Sequence, residues 1–113
     1  MVFNALLGNT DDHLKNIWLL RNTAGWRLSP TFDLLPDIGG VREHVLRFDL
    51  TPSPPTPVQL AALGRKWGVS GAAVICEEVR AALAGFTSVA ADLGVPHPDI
   101  VHFATDIERR IRS

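Results

Sequence analysis

Asp11, Asn16 five residues later, and Asp33 beyond an apolar stretch are side chains whose types and spacing suit phosphoryl transfer. That reaction needs a carboxylate to accept or orient the proton of an attacking hydroxyl. It also needs hard oxygen ligands for a magnesium ion that bridges the phosphates. An Asp followed by an Asn at this interval is common by chance, so the ordered set carries more weight than the pair. Asp11 and Asn16 share the polar loop Asn9–Asn16 (NTDDHLKN), and Asp33 sits among apolar residues in Ser29–Pro36 (SPTFDLLP).

The elements around these residues must bring them to one mouth. Val2, Phe3, Leu6 and Leu7 are spaced as the buried face of a helix that ends at Gly8, immediately before the loop. Ile17–Arg21 (IWLLR) is β-prone, Asn22–Gly25 (NTAG) has turn chemistry, and Trp26–Leu28 can pair back as a short hairpin. Such a hairpin returns the chain so that Asp33 can face Asp11 and Asn16.

From about Pro57 onward the pattern is helical. Thr51–Pro57 (TPSPPTP) places four prolines in seven residues, which favours an extended joint between the first 48 residues and the helical tail from 58 to 113. Leu60, Leu63 and Trp67 recur at helical spacing before Gly68. Ile75, Val79, Ala82 and Phe86 follow on one expected stripe, and Ile100, Phe103, Ala104, Ile107 and Ile111 share a face of a last helix after Gly94 and Pro96. Asp99 near the start of that helix and Arg109, Arg110 and Arg112 near its end complement the helix dipole, the arginines reading as a solvated end. Trp18, Trp26, Phe32 and Trp67 are expected in the core, and Cys76 as a buried thiol with no basic neighbour.

Composition narrows the class. The chain has 113 residues, 46% hydrophobic and 20% charged, with eleven Lys and Arg against twelve Asp and Glu. It is one domain or a piece of one, with no basic field for nucleic acid or anionic lipid. A single cysteine excludes a disulfide framework and a multi-cysteine zinc site. Met1–Gly8 is apolar but short, lacks a basic start and soon meets Asp11 and Asp12, so neither a signal peptide nor a membrane span is expected, and a cytoplasmic protein is.

Taken together, FNALLGNTDDHLKN, an apolar strand, a glycine turn, WRLSP and an Asp three residues after the proline resemble the catalytic loop and metal-binding segment of the HipA family. These are serine/threonine kinases with a kinase-like fold that act as toxins of bacterial toxin–antitoxin modules. Phe3–Pro36 carries the resemblance, and Thr51–Ser113 is similar to the family's helical C-terminal tail in helix order and its basic last turn. The resemblance implies a mainly α fold with a small β-hairpin, the C-terminal lobe of a kinase-like architecture. It implies Asp11 as catalytic base, Asn16 and Asp33 as ligands of Mg2+ on ATP, and His13 and Lys15 as loop residues facing the phosphate or the substrate hydroxyl. It further implies a protein Ser or Thr as substrate, and a separately encoded N-terminal kinase half or an antitoxin as partner.

The departures matter equally. Only ten residues precede Asp11, no G-x-G-x-x-G or P-loop motif occurs, and Gly39-Gly40 is a bare pair, so the chain lacks the elements that hold the nucleotide in kinases. On its own it is expected to be inactive. A non-catalytic interaction module or a gene remnant is the alternative. Gln59–Val74 imitates a helix-turn-helix, but its second helix offers small residues and then Glu77 and Glu78, which suit neither base edges nor phosphates. A metal hydrolase built on Asp11, Asp12, His13 and Asp33 is short of ligands. Asp12 reads as a cap or loop residue, and His44, His97 and His102 lack convincing ligand partners. The opening helix and the loop face have no visible cover, which points to a docked partner or a dimer.

Overall fold

Val2–Leu7 forms α1, and its buried face is Ala5, Leu6 and Leu7. The helix ends at Gly8, whose φ of 87° is the left-handed conformation that a glycine adopts without steric cost. The computed structural model describes residues 1–37, 44, 45, 47 and 54–112. After α1 come a 3-10 turn at Leu14–Asn16, strands β1 (Leu19–Asn22) and β2 (Gly25–Leu28), and then α2 (Pro57–Lys66), α3 (Ala72–Ala84), α4 (Phe86–Asp92) and α5 (His97–Ile111). The protein is therefore mainly helical with one small antiparallel sheet.

Each tail helix has a local cause. Thr56 caps α2: its side chain accepts from Gln59 N–H, and Gln59 accepts in return from Thr56 N–H, with Pro57 at the first helical position. Trp67 and Gly68 close that helix. Gly64 lets α2 approach α3, since a Cβ there would lie 2.7 Å from that of Ala72. Gly94 and Pro96 separate α4 from α5.

α1 packs against both α3 and α5, and α2 packs along α3. Leu6, Leu60 and Ile107 are the largest fully buried side chains, joined by Leu63, Cys76, Leu83 and Ile111. Burying one such side chain contributes about 1.5–3 kcal/mol, so α1 owes its place to the helical tail rather than to its own six residues. This corrects the expectation of an uncovered opening helix.

The hairpin pairs Leu19 with Leu28, Leu20 with Arg27, Arg21 with Trp26 and Asn22 with Gly25. Asn22 and Gly25 thus belong to the strands, and Thr23-Ala24 is the turn, stiffened by Ala24 N–H donating to Asn22 Oδ1. The aromatic residues expected in the core are on the surface: Trp18 is 60% exposed, Trp26 68%, Trp67 55% and Phe32 42%. They find local contacts instead, Trp18 edge-on to Phe32 and the Arg21 guanidinium over the Trp26 ring.

Three more expectations change. On α3 the inward stripe is Ala72, Cys76, Val79 and Leu83, while Ile75 and Ala82 face outward and Phe86 already belongs to α4. Arg110 is buried, not part of a solvated end. Cys76 is buried as expected, and burial raises its thiol pKa, but Arg65 lies close enough to pull against that shift. Of the Thr51–Pro57 joint, residues 51–53 lie outside the described residues, 54–56 are irregular, and Pro57 opens α2. Gly39-Gly40 also lies outside them. No helix among the described residues is long and apolar enough to cross a membrane.

Candidate active site

The loop that follows α1 is tied down at both ends. Asn9 N–H donates to the Asn4 carbonyl at 2.9 Å, and the 3-10 turn closes through Asn16 N–H to the His13 carbonyl at 2.9 Å. Trp18 Nε1 donates to the Lys15 carbonyl at 2.6 Å, which joins the end of the loop to the start of the hairpin. Ser29 N–H to the Trp18 carbonyl, 2.8 Å, extends the pairing past β2 and aims the following segment back at the loop.

That returning segment is stitched to the loop by three hydrogen bonds. Asn9 Nδ2 donates to the Asp33 carbonyl at 2.9 Å, Asp37 N–H to the Gly8 carbonyl at 3.0 Å, and Thr10 Oγ1 to Asp37 Oδ2 at 3.2 Å. Val45 N–H donates to the Thr10 carbonyl, bringing residues 44 and 45 to the same loop. Asp33 itself has φ 58°, a left-handed backbone that Asp tolerates better than most residues, and this turn presents its carboxylate to the loop.

Asn16 Nδ2 donates to Asp33 Oδ2 at 3.2 Å across seventeen residues of sequence. Asp11 is exposed, and a cleft of about 390 Å³ is lined on its polar side by Asp11, Asp33 and Asp37 and on its apolar side by Leu35, Pro36 and Phe103. Asn16 and Asp33 are therefore in contact, and Asp11 and Asp33 share a cleft. Lys15 is exposed in the 3-10 turn. His13 is half-buried, and its Nδ1 is enclosed with no hydrogen-bond partner among the described residues. Asp12 is buried, whereas its neighbour Asp11 is exposed.

Asn16 and Asp33 offer hard oxygen donors of the kind magnesium takes, usually one or two side chains with phosphate and water completing the shell. Among the described residues no three His, Cys, Asp or Glu side chains gather as a group that could hold a metal ion.

The sequence model of the HipA-like C-terminal domain matches residues 1–104. The chain belongs to the HipA-like C-terminal domain family. That match spans the loop, the hairpin, the Asp33 segment and most of the helical tail of this HipA-like domain. No curated protein and no solved structure matches the chain.

Sequence reasoning missed the cross-ties of this HipA-like site: Asn9, Thr10 and Asp37 hold the two segments together, and none stood out in the sequence. His44, set aside in the sequence as lacking a ligand partner, is buried, and its neighbour Val45 donates its N–H to the Thr10 carbonyl of the loop. Burial and the charge of Arg110 hold the His44 pKa below 6.5, against a hydrogen bond to the Asn9 backbone and the charge of Asp12.

Proposed function

We propose that this HipA-like domain is the lower half of a serine/threonine protein kinase. In the complete catalytic unit Asp11 orients the hydroxyl of a protein Ser or Thr, while Asn16 and Asp33 hold Mg2+ on ATP. Bound magnesium supplies neutralising charge to the phosphates, and the remaining work is positioning. The observation that carries the reading is the direct Asn16–Asp33 hydrogen bond at the edge of a cleft that Asp11 also lines. Phosphoryl transfer asks for this grouping of one free carboxylate and one oxygen-bearing pair. His13 and Lys15 belong to the same loop and are assigned to the phosphate or hydroxyl side.

No glycine-rich phosphate loop occurs in these 113 residues, so further contacts to the nucleotide come from polypeptide outside them. The open hairpin favours a docking role beside the catalytic one. Leu19, Trp26 and Leu28 share one face of the hairpin and are each at least 60% exposed, an apolar surface of the kind that marks an interface. An upper kinase half, encoded in the same chain or separately, is the partner proposed there, and an antitoxin of a toxin–antitoxin pair is the second reading of the same surface.

The test is calorimetric titration of Mg-ATP into the purified chain with Asp33→Asn as control. Saturable binding lost in that variant supports the reading, and absence of binding by the folded chain favours the docking role alone. Supplying an upper half then tests transfer: restored phosphorylation that disappears with Asp11→Ala supports the kinase.

A further inference from the structure

Beneath the loop that carries Asp11 lies a charged group that no part of the reaction described above uses. Arg110, in the last turn of α5, keeps only 6% of its side chain exposed. Its Nε donates to Asp106 Oδ2 at 2.7 Å, one turn back on the same helix. Its Nη1 is enclosed with no hydrogen-bond partner among the described residues. Taking a guanidinium out of water is costly even with a carboxylate beside it, and an apolar side chain of similar volume would extend the Ile100, Ile107 and Ile111 face at no such cost. Packing alone does not account for an arginine here.

The ion pair sits directly under Gly8. A Cβ at that position would lie 2.9 Å from Arg110 Nε and 3.1 Å from Asp106 Oδ2, so the backbone leaving α1 rests on the pair. Gly8 and Asn9 are also the residues that hold the Asp33 segment, through the Gly8 carbonyl and Asn9 Nδ2. His44 adds a second link, since it hydrogen-bonds the Asn9 backbone and lies within range of the Arg110 charge. Both Asp106 and Arg110 fall beyond residue 104, where the family match stops.

We propose that Arg110, clamped by Asp106, is a positioning residue: it sets the height and tilt of Gly8 and Asn9, and through them the meeting of Asn16 with Asp33. It touches neither nucleotide nor acceptor. The magnesium arm of the test below rests on the kinase reading, whereas the structural arm does not.

The experiment uses the full chain with Arg110→Met, which keeps volume and removes charge, and with Arg110→Lys. Urea unfolding, the side-chain amide NMR signals of Asn9 and Asn16, and a titration with Mg2+ alone are followed for each. The expected result is a folded Arg110→Met of equal or greater stability, with displaced Asn9 and Asn16 amide signals and about tenfold weaker Mg2+ binding, as when an outer-shell partner of a metal ligand is lost. Arg110→Lys returns both readouts toward wild type. Amide signals and Mg2+ affinity unchanged in Arg110→Met overturn the proposal. Should that variant not fold, Asp106→Asn carries the test on a side chain 40% exposed: moved amide signals support it and unmoved signals overturn it. A wild-type chain that binds no Mg2+ counts against the kinase reading only, because the amide signals still decide this one.

Discussion

Asn16 and Asp33 meet side chain to side chain at 3.2 Å although seventeen residues and a hairpin separate them. Both ends of the contact are accessible to solvent, so the bond itself adds little stability, and its value lies in holding two oxygen donors together. Asn16→Ala is expected to change unfolding free energy by less than about 0.5 kcal/mol. Under the kinase reading proposed above, any stabilisation conferred by excess Mg-ATP should fall by about 1.4 kcal/mol, equivalent to a tenfold loss of affinity. Thermal unfolding with and without Mg-ATP reads both numbers.

Gly8→Ala places a methyl group where Arg110 Nε would be 2.9 Å away, on a backbone with φ 87°. The Arg110 side chain is buried and has little room to swing clear. Destabilisation of about 1–3 kcal/mol is expected from backbone strain and displacement together, read from the urea midpoint.

Stability should depend on pH through His44. Burial first, and then the charge of Arg110, depress its pKa below 6.5 in the folded chain. A group with a depressed folded value takes up more protons when unfolded. Its contribution is therefore complete above pH 6.5 and is lost as pH falls through the lower folded value. Urea midpoints measured from pH 8 down to pH 5 should decline, and His44→Gln should flatten the decline. The interval stays clear of Asp106. Burial opposes its charge, but hydrogen bonds from Arg110 and Arg109 outweigh that and keep its carboxyl below 3.8.

Thr56→Ala removes one half of a reciprocal cap and leaves Gln59 N–H without its side-chain acceptor. About 1 kcal/mol of stability should be lost, with the loss visible as faster amide exchange in the first turn of α2.

Much of the scaffold was legible because periodicity records burial. α1 and the inner face of α5 lie where Leu6, Leu7, Ile100, Ile107 and Ile111 place them. The hairpin followed from β-prone residues flanking a glycine turn, and the spacing of Asp11, Asn16 and Asp33 anticipated that the hairpin would return Asp33 to the loop. Ties between irregular segments were not legible, since Asn9 to Asp33 and Thr10 to Asp37 join backbones that have no repeat. The tryptophans misled for a different reason. Hydrophobicity says that Trp18 and Trp26 favour a cover, not that these residues supply one. On α3 both Ile75 and Cys76 lie on plausible stripes, and packing against α1 and α2 selects the face with Cys76. Arg110 was hidden among Arg109 and Arg112, where an arginine on a helix end is explained by the dipole without any need for burial.

The packing of α1 against α5 also carries a meaning for the order of events as the chain is made. The ribosome releases the Asp11 loop long before it releases Arg110, and domains emerging from it organise from the N-terminal side. Here α1 has no lasting place until α5 arrives to support it. The loop is synthesised before α5 and held in place only after it, so any nascent chain that stops short of α5 carries the motif without the geometry. The meeting of Asn16 with Asp33 is thereby delayed until translation has passed α5.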